Sequence, residues 1–237
     1  MPRRPATPPR DEAGFVILAA KGGGVTAQAF DWLGFLKGWN AELLASRMLA
    51  TVRRRNPSED LERAVAAGWL GYPGATEAEL AATETRLGVE LPQSYRAFLA
   101  TSNGWRWPEH FIPKLWSTDE IEWLPVRHQE GINAWREGEQ LYGPTIIPDE
   151  EYFVYGDEQY SYSIRSEYLQ TALDISAVER AGTAMCVLNP QVVRDGEWEA
   201  WFWAHWLPGA HRFGSFQELM LDLHQSFRSV EENSRPL

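Results

Sequence analysis

One cysteine, Cys186, stands among 237 residues. A lone thiol cannot close an intramolecular disulfide or build a cysteine-rich zinc site, and that scarcity suits a reducing cytoplasm, the location expected here. Cys186 lies in the apolar run MCVL, where a thiol packs as a small hydrophobe rather than acting as a nucleophile. Long apolar runs are missing too. FVILAA at 15–20 is the longest near the start and is too short to cross a membrane; it follows Asp11-Glu12 rather than the basic lead of a signal peptide. Arg3-Arg4 has no apolar region behind it, so no twin-arginine signal is read. Signature motifs of catalysis are absent: there is no GxSxG, no HExxH and no GxxxxGK[ST], and Lys21-Gly22-Gly23-Gly24 reads as a flexible joint. The five histidines, His110, His128, His205, His211 and His224, keep no metal-ligating spacing. No metal and no cofactor is expected.

Acidic charge is plentiful and unevenly placed. The net charge is −11, yet residues 1–55 carry 9 Lys+Arg against 4 Asp+Glu, while 109–158 carry 3 against 12. An acidic body repels nucleic acid and anionic membranes and attracts a basic partner; the alternative is that it only keeps the chain soluble. Aromatics are in surplus as well, with 12 Trp. Trp105, Trp107, Trp116 and Trp123 crowd a short stretch beside Glu109, Asp119, Glu120 and Glu122. Tryptophan amid polar groups favours binding hot spots, although each ring taken singly suits a core.

Residues 1–25 read as a disordered or loosely packed segment, with a strand possible at 13–20. Over 26–56 a helical period runs through Phe30, Leu33, Leu36, Leu43, Leu44, Met48 and Val52, predicting one helical extension packed on the domain behind it, with Arg53-Arg54-Arg55 at the negative end of its dipole. Asn56-Pro57-Ser58-Glu59 predicts a helix start. Thr76 and Glu79 form a capping box, Gly88 suits a left-handed helix end, Pro92 suits the first turn of the next helix, and Tyr95, Phe98 and Leu99 share one face. Strands follow: one at 121–126, a hairpin at 152–164 turning at Gly156-Asp157, a central strand at 183–188, and a hairpin about Asp195-Gly196. Ser215 and Glu218 open a last helix burying Phe216, Leu219, Met220, Leu223 and Phe227. The layout is α+β: N-terminal helices packed on one side of a mixed, largely antiparallel sheet, with a closing C-terminal helix. One domain is read at 57–230 and a tail at 231–237.

The set Leu91, Pro92, Tyr95, Phe98, Leu99, Asn103 and Gly104, then Gly156 to Tyr160 (GDEQY), then Trp206, Ser215, Phe216, Glu218, Met220 and Leu223, resembles the SUKH superfamily. That is the family of a fungal cell-wall-synthesis regulator and of many bacterial immunity proteins. Trp105 stands where the family usually shows a second Gly after the Asn. The resemblance implies a non-enzymatic protein-binding domain, foremost an immunity protein that neutralises a basic, nucleic-acid-directed toxin. The alternative is a regulatory or scaffold adaptor, and a third reading is an enzyme using the carboxylates at 149–158. Candidate partner-binding residues are Trp105, Trp107, Asp119, Glu120, Trp123, Asp149, Glu150, Asp157 and Glu158, with no nucleic-acid or membrane partner expected.

Overall fold

The computed structural model describes residues 16–18, 29–143, 146–159, 164–178 and 184–233. The period expected to be one helix is two, α1 (Trp32–Leu44) and α2 (Arg47–Arg55). One hydroxyl makes the break: Ser46 Oγ donates to the Leu43 carbonyl at 2.7 Å and accepts from the Leu49 N–H at 3.0 Å, closing one helix and opening the next. Of the expected stripe, Leu36, Leu43, Met48 and Val52 are buried, Phe30 and Leu44 are half-buried, and Leu33 is exposed. Trp32 packs its ring on Phe98 and Phe216 at centroid distances of 5.5 and 5.7 Å, so the extension belongs to the main core. Helix α3 (Glu59–Ala67) begins after Ser58 rather than at Asn56.

Helix α4 (Glu77–Leu87) has the expected box: the Thr76 side chain accepts from the Glu79 N–H, and Glu79 accepts from the Thr76 N–H at 2.7 Å. Gly88 ends it with φ of 73°, a conformation that suits a residue without Cβ. In α5 (Gln93–Thr101) Pro92 is the N-cap, one place earlier than its sequence reading. Leu91, Tyr95, Phe98 and Leu99 are all buried in the core, as their spacing required. Asn103 then ties the chain down, donating to Thr118 Oγ1 at 3.1 Å and accepting from the Thr118 N–H at 2.8 Å. Gly104 takes φ of 101°, and a Cβ there would meet the Leu115 carbonyl oxygen at 2.8 Å.

A small ribbon follows, β2 (Trp105–Glu109) with β3 (Ile112–Leu115). The main sheet runs β4 (Glu122–Trp123), β5 (Leu173–Asp174), β6 (Ala184–Arg194), β7 (Glu197–Ala204), β8 (Ala210–Phe213), in that order and antiparallel. A further strand, β1 (Val16–Leu18), pairs parallel with Val192–Arg194 of β6, in the region left as strand or loose packing. The β6–β7 hairpin turns at Asp195-Gly196, both with positive φ (53° and 79°), as a tight two-residue turn requires. Helix α8 (Phe216–Asn233) closes the fold, with Phe216, Leu219, Met220, Leu223 and Phe227 buried. Its start is capped by Ser215 Oγ, which accepts from the Glu218 N–H at 3.1 Å. The α+β layout is thus the one expected.

Two expected strands are not found. Residues 121–126 give only the two-residue β4, and the chain then enters a 19-residue helix, α6 (Leu124–Tyr142), with Pro125 in its first turn. Tyr152–Tyr155 is no hairpin arm: Tyr152 ends the short helix α7 (Asp149–Tyr152) and Gly156–Glu158 forms a 3₁₀ turn. The second arm falls mostly at 160–163, outside the described residues.

Nor is the sheet covered on one side alone. Ala184, Cys186, Leu188, Trp198 and Ala200 face the core built by α1–α5 and α8. The alternate residues Val187, Val192 and Trp201 face a second core with Leu124 and Ile132 of α6, Tyr152, Tyr168 and Leu169. Val187 therefore packs opposite Leu188, not beside it. This second layer explains why the alternate positions of β7 include two tryptophans, Trp201 and Trp203.

Candidate functional site

Beneath the second layer lies a buried polar cluster centred on Glu199. Its carboxylate accepts from the Tyr152 hydroxyl (2.9 Å), the Tyr155 hydroxyl (3.0 Å), the Asn189 amide (2.9 Å) and the Trp201 indole (2.8 Å). Arg212 of β8 lies 3.6 Å away, donates to the Tyr152 carbonyl and stacks on the Tyr152 ring at 4.1 Å. Burial, reinforced by the Glu199 carboxylate, holds both tyrosine hydroxyls well above their ordinary pKa, so they stay donors. The cluster thereby ties α7, β6 and β8 to β7. Gln159, from the GDEQY stretch, completes the tie: its side chain accepts from the Arg212 N–H at 2.8 Å and donates to the Arg212 carbonyl at 3.0 Å. Glu199, Tyr152, Asn189, Trp201 and Arg212 are buried, while Tyr155 is partly exposed.

The acidic candidates do not form one face. Asp119 and Glu120 precede β4, while Asp157 and Glu158 precede Gln159, which is bonded to β8. With strands ~4.8 Å apart, those two sheet edges are separated by roughly 20 Å. Glu120 is also committed: it accepts from Lys114 Nζ at 2.6 Å, from the Ser117 hydroxyl at 2.7 Å and from the Ser117 N–H at 3.1 Å. Asp149 is held by Arg165 at 2.5 Å. Asp119, Glu150, Asp157 and Glu158 are exposed. Among the described residues, no three His, Cys, Asp or Glu side chains are grouped to hold a metal ion. Cys186 is buried, and burial pushes its thiol far above its ordinary pKa.

Trp105 is not a contact residue. It is fully buried, lying against Trp39 and edge-on to Trp69 at centroid distances of 6.5 and 5.1 Å. The ring occupies the core because it stands on the inward side of β2, where the chain has just left Gly104. Trp123 is half-buried at the start of α6 and packs on the main core. Trp107 is half-buried and has φ of 49°, beside a bulge in β2. It lines a cleft of about 390 Å³ with Arg47, Arg55, His110 and Phe111; there burial lowers the His110 pKa. A non-glycine residue in that backbone region costs of order 1–3 kcal/mol and tends to occur where function fixes it.

Sequence reading did not single out as contacts the open aromatics Phe111, Tyr142 and Trp206. Phe111, at the tip of the β2–β3 ribbon, meets Trp206 of the β7–β8 loop at 4.6 Å between centroids, and both rings are over a third exposed. A second groove, about 720 Å³, runs between α6 and the end of β7, lined by Val126, Ile132, Trp135, Met185, Trp203 and His205 among others. Leu141, Tyr142 and Ile146 are the most exposed large apolar side chains. A tip residue between two short strands, and LYG at a helix end, were the available signals.

Residues 74–229 match the SMI1 / KNR4 family (SUKH-1). No curated protein matches the chain. The matched span begins at Gly74, just before α4, so α1–α3 lie outside it although they share its core.

Proposed function

The chain belongs to the SMI1 / KNR4 family (SUKH-1), and from that premise we propose that it is a non-catalytic protein-binding domain that neutralises a cognate toxin in the bacterial cytoplasm. The toxin is basic and directed at nucleic acid. One observation carries this reading: uncommitted carboxylates and open aromatic side chains share the surface of a chain whose net charge is −11. A nuclease must present positive charge to phosphate, and an acidic surface can occupy that same face. Aromatic anchors then supply the desolvated contacts that hold a complex together.

The decisive experiment begins from the gene beside this one. If it encodes a secreted protein with a toxic C-terminal domain, that domain is purified and mixed with the full chain. Immunity predicts a one-to-one complex and survival of cells that express the toxin together with this protein. Several weak partners and no rescue would favour the regulatory adaptor instead. Loss of a measured turnover on neutralising Asp157 or Glu158 would point to the enzymatic reading.

A further inference from the structure

Helix α6 ends in an unusual way. Leu141, Tyr142 and Ile146 are 77%, 90% and 86% exposed, the three highest values among the large apolar residues described. Large apolar side chains this open are uncommon on a folded protein and, where they gather, mark a contact site, and tyrosine is one of the residues on which binding energy concentrates. This surface is not a loose end. Glu139, one turn back, accepts from the Ser166 hydroxyl at 2.8 Å. Arg165 donates to the Ile147 carbonyl at 2.8 Å and to Asp149 at 2.5 Å, and Ile147 packs inward on the second core. The apolar side chains are therefore presented from a fixed base.

The charge along this stretch is mostly negative: over 136–151 one arginine, Arg136, stands against the five carboxylates Glu137, Glu139, Asp149, Glu150 and Glu151. Glu137, Glu150 and Glu151 are exposed and make no ion pair among the described residues, whereas the neighbouring Asp149 is spent on Arg165. The last turn of α6 carries no basic residue. The C-terminal end of the helix adds the partial negative charge of its dipole. Exposed apolar side chains in a stretch of net negative charge fit an occupant that carries positive charge and apolar groups.

We propose that the C-terminal end of α6, through Leu141, Tyr142 and Ile146 with Glu137, Glu150 and Glu151 at the rim, is the docking surface for a cationic protein segment that carries apolar side chains. This deepens the toxin-binding reading and rests on it. The rim steers the partner in, and the apolar centre sets how long it stays.

The test uses the full chain and a synthetic peptide of about 18 residues with Lys and Leu at amphipathic-helix spacing, alongside a counterpart with Glu replacing Lys. Amide chemical shifts locate binding, and titrations at low and high salt measure it. The cationic peptide should perturb residues 137–151 and the acidic one should not. L141S/Y142S/I146S, which leaves every charge in place, should weaken binding at least about tenfold, or ~1.4 kcal/mol. E137Q/E150Q/E151Q should weaken it and flatten its salt dependence. All six positions are exposed, and an unchanged melting temperature verifies the fold. Shifts centred on Asp119 or Asp157, or parental affinity in the apolar variant, would overturn the proposal. If that happens while the chain still rescues toxin-expressing cells, the surface assignment fails and the immunity reading stands. Peptide binding at 137–151 with no rescue would leave the surface and remove the immunity role.

Discussion

Glu199 of β7 and Arg212 of β8 face each other diagonally across adjacent strands, 3.6 Å apart and both essentially without solvent. A buried pair of this kind contributes less by attraction than it costs when half of it is removed. Arg212→Met leaves a buried carboxylate without its cation, and the expected loss is about 3–5 kcal/mol by urea denaturation. Removing both charges should not restore full stability. The hydroxyls of Tyr152 and Tyr155, the Asn189 amide and the Trp201 indole would lose their acceptor, and each orphaned buried donor costs about 1–3 kcal/mol. A double variant as stable as the parent would show that the cluster is dispensable.

Leu99 is fully buried beneath α5. Leu99→Ala should cost about 2–5 kcal/mol, with the spread set by how far the neighbours collapse into the space. A change of a few tenths in the same denaturation assay would contradict the packing described.

Helices α1 and α2 place Trp32, Leu36, Trp39, Leu43, Met48, Leu49 and Val52 in the main core. Deletion of residues 1–55 should therefore yield an insoluble or much less stable protein, because the vacated face of α5 and α8 would be open to water. Deletion of 1–15, which stops short of β1, should leave the melting temperature unchanged. Equal melting temperatures for the two truncations would refute the role of α1 and α2.

Asp60 is clamped by Arg106 at 2.6 and 2.9 Å, and the hydrogen bonds from that guanidinium hold its pKa below the ordinary value. A carboxylate whose folded pKa is depressed contributes stability above its unfolded pKa of about 4, and that contribution is lost as pH falls through the folded value. Asp60→Asn should thus be less stable than the parent at neutral pH, and the gap should narrow as the pH is lowered below about 4. A gap that stays constant down to pH 2 would mean that the ion pair is immaterial; Asp60 is half-exposed, so the effect is a modest one.

The exposed carboxylates should act on rate. Replacing Asp119, Glu150, Asp157 and Glu158 by their amides is expected to slow association with a basic partner at low salt and to flatten the salt dependence, with the dissociation rate nearly unchanged. Glu120 is left out because it holds Lys114 and Ser117. Stopped-flow traces that superimpose for parent and variant would assign these groups to solvation only.

What could be read in the sequence was local and periodic. The Thr76–Glu79 box, Gly88, the Asp195-Gly196 turn and the faces of α5 and α8 each depend on residues a few positions apart, and each is found as spacing predicts. Helix α6 was missed although Leu124, His128, Ile132 and Trp135 keep helical spacing, because Gly131 and Gly138 interrupt the run and Ile121–Val126 alternates like a strand. His128 departs from helical geometry with φ of −124°, which blurs the period further. Tyr152 and Tyr155 looked like strand residues because Tyr152-Phe153-Val154-Tyr155 is an aromatic and β-branched run before a Gly-Asp turn. Their reason for being there is Glu199, more than forty positions away, and no local pattern announces such a partner. Trp105 was misplaced for the opposite reason: burial depends on Trp39 and Trp69, while the nearby sequence, with Arg106 and Glu109, reads as polar.

The side chain of Gln159 occupies the outward hydrogen-bonding pair of Arg212. It stands where the next strand of the sheet would stand, and β8 is the last strand in the order. Binding by β-augmentation, in which a peptide or a second copy extends a sheet, needs such a backbone pair to be vacant. Here a glutamine amide has mimicked the missing strand. Among the described residues this amide is what covers the Arg212 backbone pair, and Gln159→Ala would leave that pair uncovered.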